Sequence, residues 1–534
     1  MNPGSEAIKS LLGKTFDIRE GEFFRASLMQ VNIFLIITVL LMVKSTVNGL
    51  FLAKFGASSL PNAFLLTAVA AALVSSIYAR VLLRLTLLRI MIWSLSASVF
   101  ALVFFGLGFH FNVGESVLLY VFYIWGAIFA LLATSQFWVL ANLIFNAREA
   151  KRLFGFIGAG AIAGGIFGGY LTTALTQFLS SESLLFICAG LLSICIPITR
   201  KVWKGYATES PIDRKQRKRM KGFGDHPVGM ILSSRHLSLV AGLVGISVVV
   251  AKLVDFQFAG VATGIVINSD ELTAFFGFWF STFNIISLAL QLFLTRRVVG
   301  RFGVGASLFF LPGFIFFAAS LMFVFPEALM VAVLLKMSDG SLKQSINKAA
   351  MELIILPIPT EIKNQTKTFI DVFVDSLATG ISGLMLIFLI DAFAVSTQGI
   401  SLLILALVLG WMYLAHRVRN EYLQSFKSRL EQVKRGGASH KTIDTTDVSV
   451  LEGIRKVLEN GEAKQISYVL QQVREAGETR LFDSIIPLLD HPSAELRAEA
   501  LLTLQSDRKH PIQDRVEARS EERRVGKECR SRWS

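Results

Sequence analysis

About twelve stretches of this chain are apolar for long enough to cross a bilayer, given the roughly 20 residues a helix needs to span the hydrocarbon core. They lie near residues 31–53, 60–83, 87–109, 116–145, 153–178, 184–203, 236–267, 272–295, 304–325, 328–356, 368–390 and 398–416. A backbone surrounded by lipid must satisfy its polar groups internally, which makes segments of this length helices. The class that follows is an all-helical membrane protein of about twelve transmembrane helices, with a short soluble helical region at its C-terminal end. Composition agrees. Charged residues make up 17% of the 534, against about 25% in an average soluble domain, and mean hydropathy is +0.57.

The net charge of +14 would suit a nucleic-acid partner in a soluble chain. Here the basic residues sit mainly in short loops and in the C-terminal tail, so the expected surrounding is the lipid bilayer and no nucleic acid is expected. One set of loops carries Arg80, Arg84, Arg148, Lys151, Arg152, Arg296, Arg297, Arg301, Lys363 and Lys367. The alternate loops carry Glu115, Glu182, Asp270, Glu271, Glu327 and Asp391, with Lys54 the main exception. Positive loops mark the cytoplasmic side. Both termini are then cytoplasmic and the number of spans is even, as expected of a multi-pass protein of a bacterial inner membrane. A polar segment of about 30 residues precedes the first span, which is too long for a signal-peptide core.

The domain reading follows from these breaks. Residues 1–30 form an N-terminal cytoplasmic segment, 31–203 a first six-helix bundle, and 204–235 a basic linker with Arg214, Lys215, Arg217, Lys218, Arg219 and Lys221. That linker is either a topology loop or a site for anionic lipid headgroups. Residues 236–416 form a second six-helix bundle, 417–446 a linker and 447–513 a soluble helical segment. Within the last, residues 481–505 read as a helix, a proline-containing turn and a helix carrying Arg497, which resembles a HEAT-type repeat. Such repeats need about three units to bury a continuous core, so this stretch looks truncated. Residues 514–534 lack apolar periodicity and resemble non-native sequence.

Charge inside the spans is concentrated. Lys44 lies in the first, Lys252 and Asp255 in the seventh, and Lys336, Asp339 and Lys343 in the tenth. The third, sixth, ninth and twelfth are almost free of charge through their cores. A charged side chain at the bilayer centre costs about 2.5–3.5 kcal/mol even on the mild insertion scale, so such groups face a cavity or a partner. Lys336, Asp339 and Lys343 share one helical face by their spacing. They read either as mutual salt bridges or as a cationic lining for a small anionic substrate. Gln136 and Asn142 add polar groups to the fourth span, as cavity lining or as helix-to-helix hydrogen bonds. Arg148, Glu149, Lys151 and Arg152 form a cluster at its cytoplasmic end, a conformational latch or a topology signal. Lys348 and Glu352, then Lys367 and Asp371, are its counterparts in the second half, with Asp375 one turn beyond Asp371. Gly160, Gly164, Gly165, Gly168 and Gly169 give small-xxx-small spacings suited to close helix packing.

Several function classes drop out. The segment RGGASHKT at 435–442 lacks the ending a phosphate-binding loop needs. No catalytic triad or metal constellation is spelled out, and Cys188, Cys195 and Cys529 give no disulfide framework. The chain is expected to be no enzyme and to need no cofactor.

Twelve spans in two halves with a basic central loop resemble the major facilitator superfamily. That resemblance implies that the first, fourth, seventh and tenth helices line a central cavity. A narrower resemblance rests on FWVLANLIFNAREAKRLFGFIGAGA (137–161), on SLKQSINKAAMELIILPI with KTFIDVF (341–373), and on IREGEFFR (18–25). These are similar to motifs of the ATP/ADP translocase-type nucleotide transporters of plastids and intracellular bacteria, over residues 15–425, and bacterial members are also fused to HEAT-type repeats. The resemblance implies nucleotide exchange by alternating access without hydrolysis. Asp255 matches the family's seventh-helix acid in type. The family's first-helix lysine falls near Val47, one turn from Lys44, and its eleventh-helix lysine near Thr379. Its fourth-helix acid has no counterpart, since residues 116–148 hold no Asp or Glu. The expected function is secondary nucleotide exchange, with Lys44, Lys252, Lys336 and Lys343 binding substrate anions and Asp255 and Asp339 as their switching partners. The alternatives are a proton-coupled carrier of another organic anion, and a membrane anchor whose HEAT-like part recruits a protein partner.

Overall fold

The computed structural model describes residues 22–82, 86–145, 147–206, 234–354, 370–392, 396–434, 454–459, 461, 463–476 and 481–504. The basic linker beyond residue 206, Lys363, Lys367, the segment at 435–442 and the tail from 505 lie outside the described residues, as do the side chains of Arg148, Lys151 and Asp371.

Helices occupy all twelve apolar stretches. They are α1 (Phe23–Phe55), α2 (Leu60–Leu82), α3 (Leu87–His110), α4 (Glu115–Ile144), α5 (Ala147–Leu175), α6 (Leu184–Tyr206), α7 (Arg235–Ile265), α8 (Ser269–Ala289), α9 (Phe310–Val324), α10 (Leu329–Leu342), α11 (Asp375–Ile387) and α12 (Thr397–Lys434). Nine helical stretches among the described residues are long and apolar enough to cross a membrane. The remaining three spans are shorter or interrupted. α9 has 15 residues. α10 runs through a π-helical turn at Lys343–Asn347 before resuming at Lys348–Ile354. α11 is flanked by π-helical turns at Ile370–Val374 and Phe388–Ala392.

One boundary differs from expectation. The arginines after the eighth span do not sit in an open loop. α8 continues through a π-helical turn, Leu290–Thr295, into a helical stretch Arg296–Ser307. This stretch breaks at Gly303, whose φ of 79° falls in the left-handed region that a side chain disfavours. α1 stops at Gly56, φ 68°, for the same reason. α7 begins under the Ser234 hydroxyl, which accepts from the Leu237 amide at 3.4 Å.

Large apolar side chains face outward along these helices, among them Leu73, Phe100, Phe317 and Leu402. In water such a surface would be costly; against lipid it is the expected face. The described residues fall into two compact units, one within Met1–Arg297 and Ala306–Val418 and one within Val298–Gly305 and Arg419–Ser534. The first holds nearly all of the membrane helices. In the second, α13 (Ala463–Ala476) packs on α14 (Ala494–Leu504), burying Val469, Leu470, Val473, Leu496 and Ala500. Arg497 donates to the His491 and Pro492 carbonyls at 2.7 and 2.9 Å, closing the turn before α14.

Candidate functional site

The charged residues of α1, α7 and α10 converge. Lys336 forms an ion pair with Asp255 across the α7–α10 contact. Its ammonium also lies 3.2 Å from Asp339. Lys252, one turn before Asp255, stands 3.8 Å from the same carboxylate. Lys44 is within electrostatic reach of Lys336, Asp255, Lys252 and Asp339. Three ammonium groups thus share two carboxylates, and one positive charge is left over. Lys336 and Asp339 are buried, which an unpaired ion would not tolerate. One carboxylate oxygen of Asp339, Oδ1, has no hydrogen-bond partner. Lys44 is exposed although it sits midway along its helix, so the cluster borders open space.

Two of the lysines rest on aromatic rings. The Lys44 ammonium lies 4.2 Å from the centre of the Phe280 ring on α8. The Lys252 ammonium lies 4.9 Å from the centre of the Phe64 ring on α2. Ring faces carry negative partial charge and attract cations at such distances.

The other expected residues are placed as follows. Gln136 is buried. Asn142 is exposed and its amide bonds back to the Trp138 carbonyl at 2.9 Å. Lys343 opens the π-helical turn of α10, half-buried. Lys348 is exposed and Glu352 half-buried one turn further on.

At the start of α5 the charges are reciprocal. Glu149 pairs with Arg25 at 2.9 Å and Arg152 with Glu22 at 3.0 Å. Arg25 also lies 4.7 Å from the Phe145 ring centre. These pairs join α5 to the start of α1, both in the first six helices.

The opposite end of the bundle joins the first six helices to the last six. The Ser181 amide and hydroxyl both donate to Asp270, at 2.7 and 2.6 Å. Thr173 donates to the Ala274 carbonyl at 2.9 Å and Ser281 to the Ile166 carbonyl at 2.7 Å. A Cβ on Gly169 would stand 2.4 Å from the Gly277 carbonyl oxygen, and one on Gly383 2.7 Å from that of Pro61. Backbones this close require glycine. Gly160, Gly164 and Gly168 make the same kind of approach to α1, at Gln30, Phe34 and Thr38.

The profile of the TLC ATP/ADP transporter family matches residues 106–422, which include Asp255, Lys336 and Asp339. The chain belongs to this family. ADP,ATP carrier protein 4 of Rickettsia typhi is 25% identical over 344 residues, covering 56% of this chain and 66% of the relative. The chloroplastic ADP,ATP carrier protein 1 of Arabidopsis thaliana is 24% identical over 351 residues, covering 58% of this chain and 54% of the relative. The chain therefore spans two thirds or less of the length of these two relatives. Among solved structures, the nucleoside transporter NupG superposes with a TM-score of 0.54 at 11% identity, covering 76% of this chain and 99% of the other. That likeness is one of fold. A TLC-family member is a membrane transporter rather than an enzyme.

Sequence reasoning missed four participants. Glu22 and Arg25 stand in IREGEFFR, and alternating charges just before a membrane helix were a usable signal. Phe64 and Phe280 had none, being two of 44 phenylalanines.

Proposed function

We propose that this TLC-family transporter exchanges nucleotides of the ATP/ADP type across the membrane. The observation that carries the proposal is the cluster of Lys44, Lys252, Lys336, Asp255 and Asp339, with its excess of positive charge. Phosphate groups entering it would compete with the two carboxylates for the lysines, so binding replaces one set of ion pairs by another. Exchange of partners limits the desolvation cost that burying a new charge otherwise incurs. Lys343, seven residues beyond Lys336, extends the cationic lining.

In this reading the end bearing Glu22 and Arg152 is cytoplasmic, by the positive loops. The end bearing Ser181 and Asp270, sealed by these contacts between the halves, is then external, and alternating access would open it in turn. Residues 31–203 and 236–416 act as the two rocking bundles. Gln136, Asn142, Lys348 and Glu352 supply secondary polar contacts or gating. The α13–α14 segment is a candidate contact for a protein partner, and the membrane a bacterial inner membrane.

Counterflow in proteoliposomes tests this. Liposomes loaded with ADP should take up labelled ATP, and empty ones should take up far less. Equal uptake into loaded and empty vesicles, or none, would refute it. A second reading, a proton-coupled carrier of another organic anion, draws on the unpartnered oxygen of Asp339. Uptake driven by a pH gradient and indifferent to internal nucleotide would establish that alternative.

A further inference from the structure

The two ammonium–ring contacts are related by the order of the helices. Lys44 on α1 sits on Phe280 of α8, and Lys252 on α7 sits on Phe64 of α2. Counted within each set of six, α1 and α7 are both first helices, and α2 and α8 both second. Each set thus places the lysine of its first helix on a ring of the other set's second helix. Phe64 lies one turn from Leu60 at the start of α2, near the sealed end, while Phe280 lies one turn further into α8 than Phe276 and Gly277, at the level of the cluster.

We infer that this reciprocal pair of contacts is the lock that keeps the empty carrier from reorienting, so that movement of the two halves requires an anion. The inference rests on the exchange reading above and deepens it. Opening the sealed end separates α8 from α1 and α2 from α7. In the empty protein that step strips both ammonium groups of their rings with no anion to replace them. The field of a ring quadrupole falls off faster with distance than that of a full charge. An anion among the lysines therefore draws Lys44 and Lys252 off the rings before the halves move. The lock is released by the ligand itself, which produces exchange in preference to net flow.

The test uses the full-length protein in detergent, with Cys188→Ala, Cys195→Ala and Cys529→Ser, and one reporter, Thr273→Cys. Thr273 is fully buried at the sealed end and becomes reachable by a water-soluble maleimide only when that end opens. In the absence of any ligand, Phe64→Leu with Phe280→Leu should speed labelling about tenfold, from the loss of two cation–ring contacts. Phe64→Tyr with Phe280→Tyr keeps both ring faces and should label at the parental rate. Lys44→Gln with Lys252→Gln removes the cations, leaves the rings in place and should match the leucine pair, which guards against a leucine pair that fails to fold. Labelling that is the same in parent, leucine and glutamine variants overturns the lock, as does a tyrosine pair as fast as the leucine pair. ATP serves as the anion probe: it should speed labelling of the parent and add little to the leucine pair. If ATP does nothing while the ligand-free differences hold, the lock stands and nucleotide as the substrate fails.

Discussion

Gly168 and Gly169 are neighbours in α5 that face different partners, and substituting each separates folding from gating. A Cβ on Gly168 would stand 2.5 Å from the Thr38 carbonyl oxygen on α1. A Cβ on Gly169 would stand 2.4 Å from the Gly277 carbonyl oxygen on α8. Both obstacles are backbone, so neither can yield by a rotamer change, and overpacking of this kind costs about 1–3 kcal/mol. α1 and α5 stay together in every state of a rocking carrier. Gly168→Ala should therefore destabilise all states alike, lowering the thermal midpoint and leaving the balance between them unchanged. α5 and α8 part when the sealed end opens. Gly169→Ala should therefore raise the energy of this closed state alone, and about 1–3 kcal/mol shifts the open-to-closed ratio roughly 5- to 150-fold. Maleimide labelling of Thr273→Cys measures that ratio and differential scanning measures the midpoint. If the two alanines lower the midpoint equally and neither changes labelling, the α5–α8 approach does not set the closure of that end.

Three further outcomes follow from the charges. Asp255→Asn leaves Lys336 and Lys252 sharing one fewer anion, so transport should fall by about 10-fold or more, and the loss should be smaller when Lys252→Gln accompanies it; a double-mutant cycle on initial uptake rates reads this. Arg25→Glu should destabilise the chain by about 1 kcal/mol or more by placing like charges beside Glu149, and Arg25→Glu with Glu149→Arg should recover most of it in thermal melts. Glu182, between α5 and α6, is held above the usual carboxylate range by partial burial and by Asp270, with Glu115 acting the same way and His110 opposing. A carboxylate with a raised folded-state value favours the folded form while protonated. Stability should therefore fall as pH climbs above about 4.5, and Glu182→Gln should flatten that part of a melt-versus-pH curve.

The twelve spans and the concentration of charge in the first, seventh and tenth were legible in sequence because hydrocarbon imposes a simple rule. Length and apolarity mark a span, and an ion inside one must have a reason. The convergence of Asp255 on Lys336 was not legible, since spacing along α10 fixes a face but not what it meets. The glycine spacings of α5 announced close packing. They did not reveal that Gly160, Gly164 and Gly168 serve α1 while Gly165 and Gly169 serve α8, because adjacent residues of a helix point about 100° apart and the sequence does not name the neighbour on either side. The π-helical turn at Lys343–Asn347 also changes the face on which later residues of α10 lie. The spacing that puts Lys336 and Lys343 on one face therefore cannot be carried past the turn to Lys348 and Glu352.

The division of labour among the lysines follows from where they stand. Lys336 is buried and held by two carboxylates of its own half, so it is committed to the cluster in the empty protein. Lys44 is exposed, and its ammonium stands against the Phe280 ring. On the proposed exchange reading, an anion would meet Lys44 first, at the smallest desolvation cost, and would reach Lys336 only by competing with Asp255. Binding would then proceed from the first half of the molecule to the second, with the anion replacing the aromatic contacts as the bridge between them. A carrier built this way needs lysine at both positions for different reasons. Lys44 must be mobile enough to leave its ring, and Lys336 must be anchored enough to hold the site together when nothing is bound.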